Sequence, residues 1–232
     1  MLIALLIAVG AAAQEPAGAP AKPHLPGTPR GARPGEGVES SQPLSIFATP
    51  EVLAALGPPR AQVGAWVEYA VRTRGKEDAR VKLSILPPAI PDGRYWMEID
   101  LATGSGAPAA VRLLVHGSPS RPQDIERATV YVPGQAVLEV PLDEVPEPPA
   151  AAARPATAAI RRRKPQRVRT AAGEFDRAEV LDVAGTRIWR ADRVPLWGLV
   201  RSKSRGQAVE LIGYASQGAH TLFQGKGSEI VK

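Results

Sequence analysis

The chain has 232 residues, no cysteine and only three histidines, His24, His116 and His220. Disulfides, thiolate metal sites and cysteine nucleophiles are therefore excluded, and no two histidines have the spacing of a zinc site, so no metal and no cofactor is expected. A hydrophobic share of 44% suffices for one core, 24 Pro and 22 Gly point to appended unstructured chain, and the net charge of +6 is local rather than general. From Arg154 to Arg177 there are eight Arg or Lys against Glu174 and Asp176, whereas the rest is balanced. The chain is thus not a broadly basic nucleic-acid binder. No nucleic-acid partner is expected, because no aromatic residues interleave the basic run.

Residues Leu2 to Val9 are uninterruptedly apolar, and Ala11-Ala12-Ala13 and Gln14 follow. This pattern predicts a signal peptide over residues 1–13, cleaved near Ala13, and a periplasmic or secreted protein. The apolar run is too short to span a bilayer, no later segment reads as a transmembrane helix, and no lipobox cysteine follows. Residues 14–43 hold seven Pro and five Gly with almost no apolar side chain, so they are expected to form a disordered tether. Residues 44–232 are expected to form one domain.

Thr49 to Gly57 reads as a short helix with Thr49 as N-cap, Pro50 in the first turn and Gly57 at the end. Val52, Leu53 and Leu56 share its apolar stripe. From Trp66 the period changes to two. Val67, Tyr69 and Val71 share one face of Trp66 to Arg72; Val81, Leu83 and Ile85 repeat this with Lys82 and Ser84 between; Tyr95, Met97, Ile99 and Leu101 alternate against Trp96, Glu98 and Asp100; and Val111, Leu113 and Val115 alternate less cleanly, since Leu114 breaks the polar face. Short turn-like links, such as Pro91-Asp92-Gly93, make these an antiparallel meander. Two weaker strands are expected at Arg127–Val132 and Ala136–Val140. Residues 141–160 are low-complexity Ala and Pro, a mobile insertion that feeds the basic run. A second β block is expected at Arg167–Thr170, Glu174–Val183, Arg187–Ala191, Leu199–Lys203 and Ala208–Tyr214. The fold class is therefore mainly β (α+β): a single curled antiparallel sheet, or incomplete β-barrel, of about eleven strands, with a short N-terminal helix packed on it.

The segments Gly64-Ala65-Trp66-Val67-Glu68-Tyr69, Thr170-Ala171-Ala172-Gly173-Glu174-Phe175, Val194-Pro195-Leu196-Trp197-Gly198-Leu199-Val200 and Glu210-Leu211-Ile212-Gly213-Tyr214 resemble exported bacterial proteins of the LolA/LolB-like superfamily. The resemblance covers roughly residues 44–223. It implies an incomplete barrel with helices on its concave side, and a function related to carriers of lipoprotein acyl chains across the periplasm. No ligand-contacting residue of those carriers can be placed on a position here, and the Ala/Pro insertion departs from their pattern.

Tyr69, Leu83, Met97 and Ile99 are the candidate apolar face for a lipid or acyl chain. If the Thr49 helix covers them completely, they form an ordinary core. Arg161, Arg162, Arg163 and Lys164 are candidates for contact with an anionic membrane surface, or form a solvated loop end. Of the four Trp, Trp66 and Trp96 fall on the polar side of their strands. Glu98 and Asp100 share that side with Trp96, as either a solvated face or, less in keeping with the rest, a pair for hydrolysis. His116, Ser118, Ser120 and Asp124 supply triad residue types within one loop, too close together to adopt triad geometry. No phosphate-binding loop is present, and Gly104-Ser105-Gly106 is too short for a dinucleotide fingerprint. The leading expectation is a non-enzymatic exported protein that binds an apolar ligand. The alternatives are an envelope scaffold with a filled core and, third, a hydrolase.

Overall fold

The computed structural model describes residues 50–75, 78–87, 91–104, 108–119, 121–142 and 159–223. The expected signal peptide, the tether, Thr49, Ser120, residues 143–158 of the Ala/Pro insertion and the turn residues Lys76, Ser105 and Gly106 lie outside the described residues. The described part contains one α-helix, α1 (Pro50–Leu56), and eleven strands. The first group is β1 (Trp66–Thr73), β2 (Ala79–Leu86), β3 (Arg94–Thr103), β4 (Ala109–His116), β5 (Ile125–Tyr131) and β6 (Leu138–Glu139). The second is β7 (Arg161–Thr170), β8 (Gly173–Val183), β9 (Thr186–Arg190), β10 (Leu199–Lys203) and β11 (Gln207–Ala215). No helix among the described residues is long and apolar enough to cross a membrane.

All eleven strands form one antiparallel sheet in the order β6-β5-β4-β3-β2-β1-β11-β10-β9-β8-β7. The first and last strands pair in its middle, Val67 opposite Tyr214 and Val71 opposite Val209. The two edges, β6 and β7, are therefore consecutive in the chain. The sheet does not close, and it curls strongly. Tyr69 on β1 donates from its hydroxyl to the carbonyl of Leu199 on β10 at 3.2 Å, over the intervening β11. Phe175 on β8 and Tyr214 on β11 stack obliquely with ring centroids 6.3 Å apart. The single open antiparallel sheet of eleven strands with one short helix, expected from the strand pattern, is present.

Alternation decides which side is inner. Val67, Val81, Leu83, Met97, Ile99, Val111, Leu113, Leu181, Ile188, Val209 and Leu211 belong to one buried cluster on the inner face. The helix α1 adds Val52 and Leu56 to it. The loop between β9 and β10 adds Val194, Leu196, Trp197 and Leu199. That loop is pinned by Arg60, whose guanidinium donates to the Val194 carbonyl at 2.7 Å, and by the Trp197 indole N–H, which donates to the Gly57 carbonyl at 3.0 Å. A single helix is too small to cover so wide a sheet, and the loop fills the remainder.

Two strands differ most from expectation. The strand expected at Ala136–Val140 shrinks to Leu138–Glu139, because it pairs on one side only and both residues are exposed. The strand expected at Arg167–Thr170 begins at Arg161, so the basic run is an edge strand and not a loop end. The link between β8 and β9 is a two-residue turn at Ala184-Gly185, both at positive φ, the geometry that suits the right-handed twist of a hairpin.

Candidate functional site

The four residues proposed as an apolar ligand face do lie together. Tyr69 pairs with Val81 beside Leu83, and Leu83 pairs with Ile99, one strand position pair from Met97. Their exposures are 0% for Tyr69 and Met97 and 2% for Leu83 and Ile99. They belong to the same buried core as Val52 and Leu56 of α1 and Val194, Leu196, Trp197 and Leu199 of the β9–β10 loop. Burial pushes the Tyr69 phenol far above its ordinary range, as expected for a hydroxyl cut off from water.

The outer face of β1–β4 is where the structure departs most from a solvated polar surface. Glu98 is completely buried. Its carboxylate accepts from the Arg112 guanidinium at 3.2 Å, from the Thr221 hydroxyl at 2.6 Å and from the Leu222 backbone N–H at 2.7 Å. Residues 216–223 thus run as a strap over the outer face. The strap is also held by the Ala219 N–H on the Gly64 carbonyl at 2.8 Å and by Phe223, which is buried, 5.8 Å from Tyr131 and stacked under Arg112 at 4.1 Å. Sequence reasoning missed this strap because Ser216 to Phe223 has neither helical nor strand periodicity. The main sign was the apolar pair Leu222 and Phe223 after the largely polar Ser216 to Thr221.

Asp100, two residues along β3, is 8% exposed. Burial first, then the neighbouring Glu98 carboxylate, pushes its pKa up to about 7, against the pull of Lys82 and Arg112. Its Oδ1 and the hydroxyl of Ser84 are buried without a hydrogen-bond partner among the described residues. The pair Glu98 and Asp100 is covered by protein on both faces of β3, so the strap stands where a substrate would have to enter. Among the described residues, no three His, Cys, Asp or Glu are grouped to hold a metal ion.

Among the described residues, the triad types of the β4–β5 loop do not assemble. His116 faces Glu126 at 3.9 Å, and Asp124 accepts from the Ser118 backbone N–H at 2.7 Å instead of orienting the imidazole. Tyr95 closes the loop by donating to the Gly117 carbonyl at 3.0 Å.

The tryptophans all serve packing. Trp197 is 3% exposed in the inner loop. Trp66 lies flat on Gly213, with Lys82 5.2 Å from its ring centre. Trp96 is half-buried opposite Leu114. Trp189 reaches from β9 across β8 to β7, where its indole N–H donates to Gln166 at 3.0 Å. Beside it an open cleft of about 440 Å³ is lined by Asp182, Thr186, Arg187 and Lys203.

Arg161, Arg162, Arg163 and Lys164 form the start of β7, whose first seven residues are all exposed. Arg161 and Arg163 pair with Asp182 and Val180 on the outer face, and Arg162 pairs with Leu181, whose side chain points inward. The run therefore splays to both sides of the sheet. Arg163 bridges to Asp182, Arg162 to Glu179 at 3.5 Å, Arg167 to Asp176 at 3.4 Å and Arg169 to Glu174 at 3.2 Å. Arg161 and Lys164 have no ion pair among the described residues. Pro165 sits where the register with β8 shifts, so its missing N–H falls at a bulge of an edge strand, where a lost ladder donor is tolerated.

No family model matches the chain, and no curated protein matches it. Among solved structures, the chain is similar to MucB in complex with MucA(peri), with 13% identity, a TM-score of 0.40 and 78% of this chain covered. It spans 56% of the length of that MucB chain. It is also similar to an exported protein with a YmcC-like fold from Bacteroides fragilis, with 12% identity, a TM-score of 0.34, and coverage of 68% of this chain and 98% of the other. Identity and TM-score are both low, and the fold stands on the strand order of this chain itself.

Proposed function

We propose that the chain is an exported, non-enzymatic envelope protein that works through its surface, with a filled core. The observation that carries this reading is the 0–2% exposure of Tyr69, Leu83, Met97 and Ile99, which share one core with α1 and the Val194–Leu199 loop. An acyl chain would have to displace Val52, Leu56, Leu196 or Trp197, each of which contributes on the order of 1.5–3 kcal/mol by its burial. That favours the scaffold reading over a carrier of lipid or lipoprotein acyl chains. The exported character rests on the apolar run Leu2–Val9 and the Ala11–Ala13 cleavage pattern. The non-enzymatic character is supported by the strap over Glu98 and by the separated His116 and Asp124. The anionic contact assigned to Arg161–Lys164 becomes, in this reading, the contact surface for an acidic partner.

The test is mass spectrometry of the protein made in a bacterium and purified without detergent, intact and after solvent extraction. The expected result is a mature chain beginning at Gln14 and an extract without stoichiometric lipid. A stoichiometric fatty acid or phospholipid would overturn the filled-core reading in favour of carriage.

A further inference from the structure

We infer that the outer edge of β7 is a docking strip for an acidic, extended polypeptide segment that joins the sheet as an additional strand. This deepens the proposed reading of the chain as a surface-acting protein and rests on it.

The two edges of the sheet are unlike. The edge strand β6 has two residues, whereas β7 has ten and pairs with β8 alone. A long unpaired edge is a row of free backbone donors and acceptors, and proteins usually shorten, cover or charge it. Here the protection is charge of one sign. The three strands β7, β8 and β9 carry nine Arg or Lys against four Asp or Glu. A second copy docking edge to edge would set two cationic strands against each other, and neutral strands gain nothing from the charges. An acidic strand is the one class that such an edge admits.

The orientation of the cations selects a strand over a lipid surface. A bilayer plane meets one face of a sheet. Arg161 and Arg163 stand on the outer face and Arg162 on the inner side, so no plane laid on one face of the sheet touches them all. A β-strand with acids on both its faces alternates in the same way and meets each in turn. Arg161 and Lys164, without ion pairs among the described residues, are the charges most available to it. The bulge at Pro165 splits the edge, so the strip for an added strand is Arg161 to Lys164 with Ile160, half-exposed at 50%, at its entrance.

The experiment uses the full mature chain and a fluorescent peptide of repeated Glu-Glu-Val-Val, whose acids fall on both faces of a strand, with anisotropy for affinity and hydrogen exchange for location. Three comparison probes are its analogue methylated on alternate backbone nitrogens, a lysine–valine peptide, and phosphatidylglycerol vesicles. The expected result is binding of the acidic peptide with new amide protection in residues 161–164. Backbone methylation and the double reversal Arg161→Glu, Lys164→Glu should each weaken it by about tenfold or more. Those two reversals leave the β7–β8 ion pairs in place, so a normal melting curve for this variant separates lost docking from lost folding. Equal binding of the methylated peptide, protection that bypasses β7, or protection of β7 by vesicles alone would each overturn the inference. A clean lipid extract with no peptide binding would remove this docking strip and leave the filled-core reading standing. A stoichiometric lipid would remove that reading itself.

Discussion

The Glu98 carboxylate accepts a hydrogen bond from the Leu222 backbone N–H at 2.7 Å, joining the middle of the sheet to the far end of the described chain. The two residues are 124 positions apart. A buried carboxylate is costly unless charged or polar donors surround it, and here Arg112, Thr221 and Leu222 supply them. The strap and the acid therefore need each other. Without the strap Glu98 would be hydrated, and without Glu98 the strap would lose its central acceptor.

Replacing Glu98 by Ala removes three hydrogen bonds and leaves Arg112, only partly exposed, without its carboxylate. The expected destabilisation is about 3–5 kcal/mol, the range for breaking one side of a buried ion pair. Glu98→Gln keeps acceptor geometry and should cost less. Urea denaturation measures the loss. Hydrogen exchange should place the first opening at Ala219 and Leu222, and an unchanged exchange rate there would exclude the strap's dependence on Glu98.

Asp100 makes stability depend on pH with a definite sign. Its pKa is raised in the folded state from 3.8 to about 7. The folded chain thus binds this proton more tightly than the unfolded chain does. Stability from this group is full below pH 4, declines as pH rises toward 7 and is lost above it. The decline is on the order of a few kcal/mol. Asp100→Asn, which is neutral at all pH values, should melt higher than the parent at pH 8 and flatten the slope between pH 5 and 8. A parallel slope in parent and variant would assign the dependence to other groups.

The inner face was legible because burial on one side forces period two. Tyr95, Met97, Ile99 and Leu101 alternate in sequence as they do in space. The first six residues of β7 were illegible as a strand for the converse reason. With no strand paired on one side, and only ion pairs and the Trp189 indole reaching them, all are exposed, and no alternation is imposed. The burial of Glu98 and Asp100 was equally hidden, since a polar stripe reads as solvated unless the covering segment is known. That segment pairs by long-range contacts to Gly64 and Glu98, which local pattern does not encode. The same holds for Val194, Leu196 and Trp197. Their apolar character was visible, but their position inside the curl depends on Arg60 and Gly57, more than 130 residues earlier.

Trp66 and Gly213 test close packing on the outer face. Gly213 lies at the bulge between β1 and β11, and a methyl group there would stand 3.1 Å from the Trp66 ring. Gly213→Ala should therefore destabilise by about 1–3 kcal/mol through overpacking. In a Trp66→Ala background the same substitution should cost almost nothing, because the clash is gone. A double-mutant cycle by thermal denaturation reads the coupling, and additive costs would show that the ring is not the obstacle.

The β8–β9 turn offers the opposite kind of change. Ala184 is exposed and holds φ of 46°, next to Gly185 at 77°. A left-handed conformation costs an alanine about 1–2 kcal/mol, whereas asparagine tolerates it and Asn-Gly is the favoured pair for this turn. Ala184→Asn should stabilise the protein by roughly 0.5–1 kcal/mol. Ala184→Val, with a branched side chain at the same φ, should destabilise it. Because neither substitution touches the core, the pair isolates backbone strain. Melting temperatures in the order Asn above Ala above Val would establish the turn as a strained hairpin, and a reversed order would refute it.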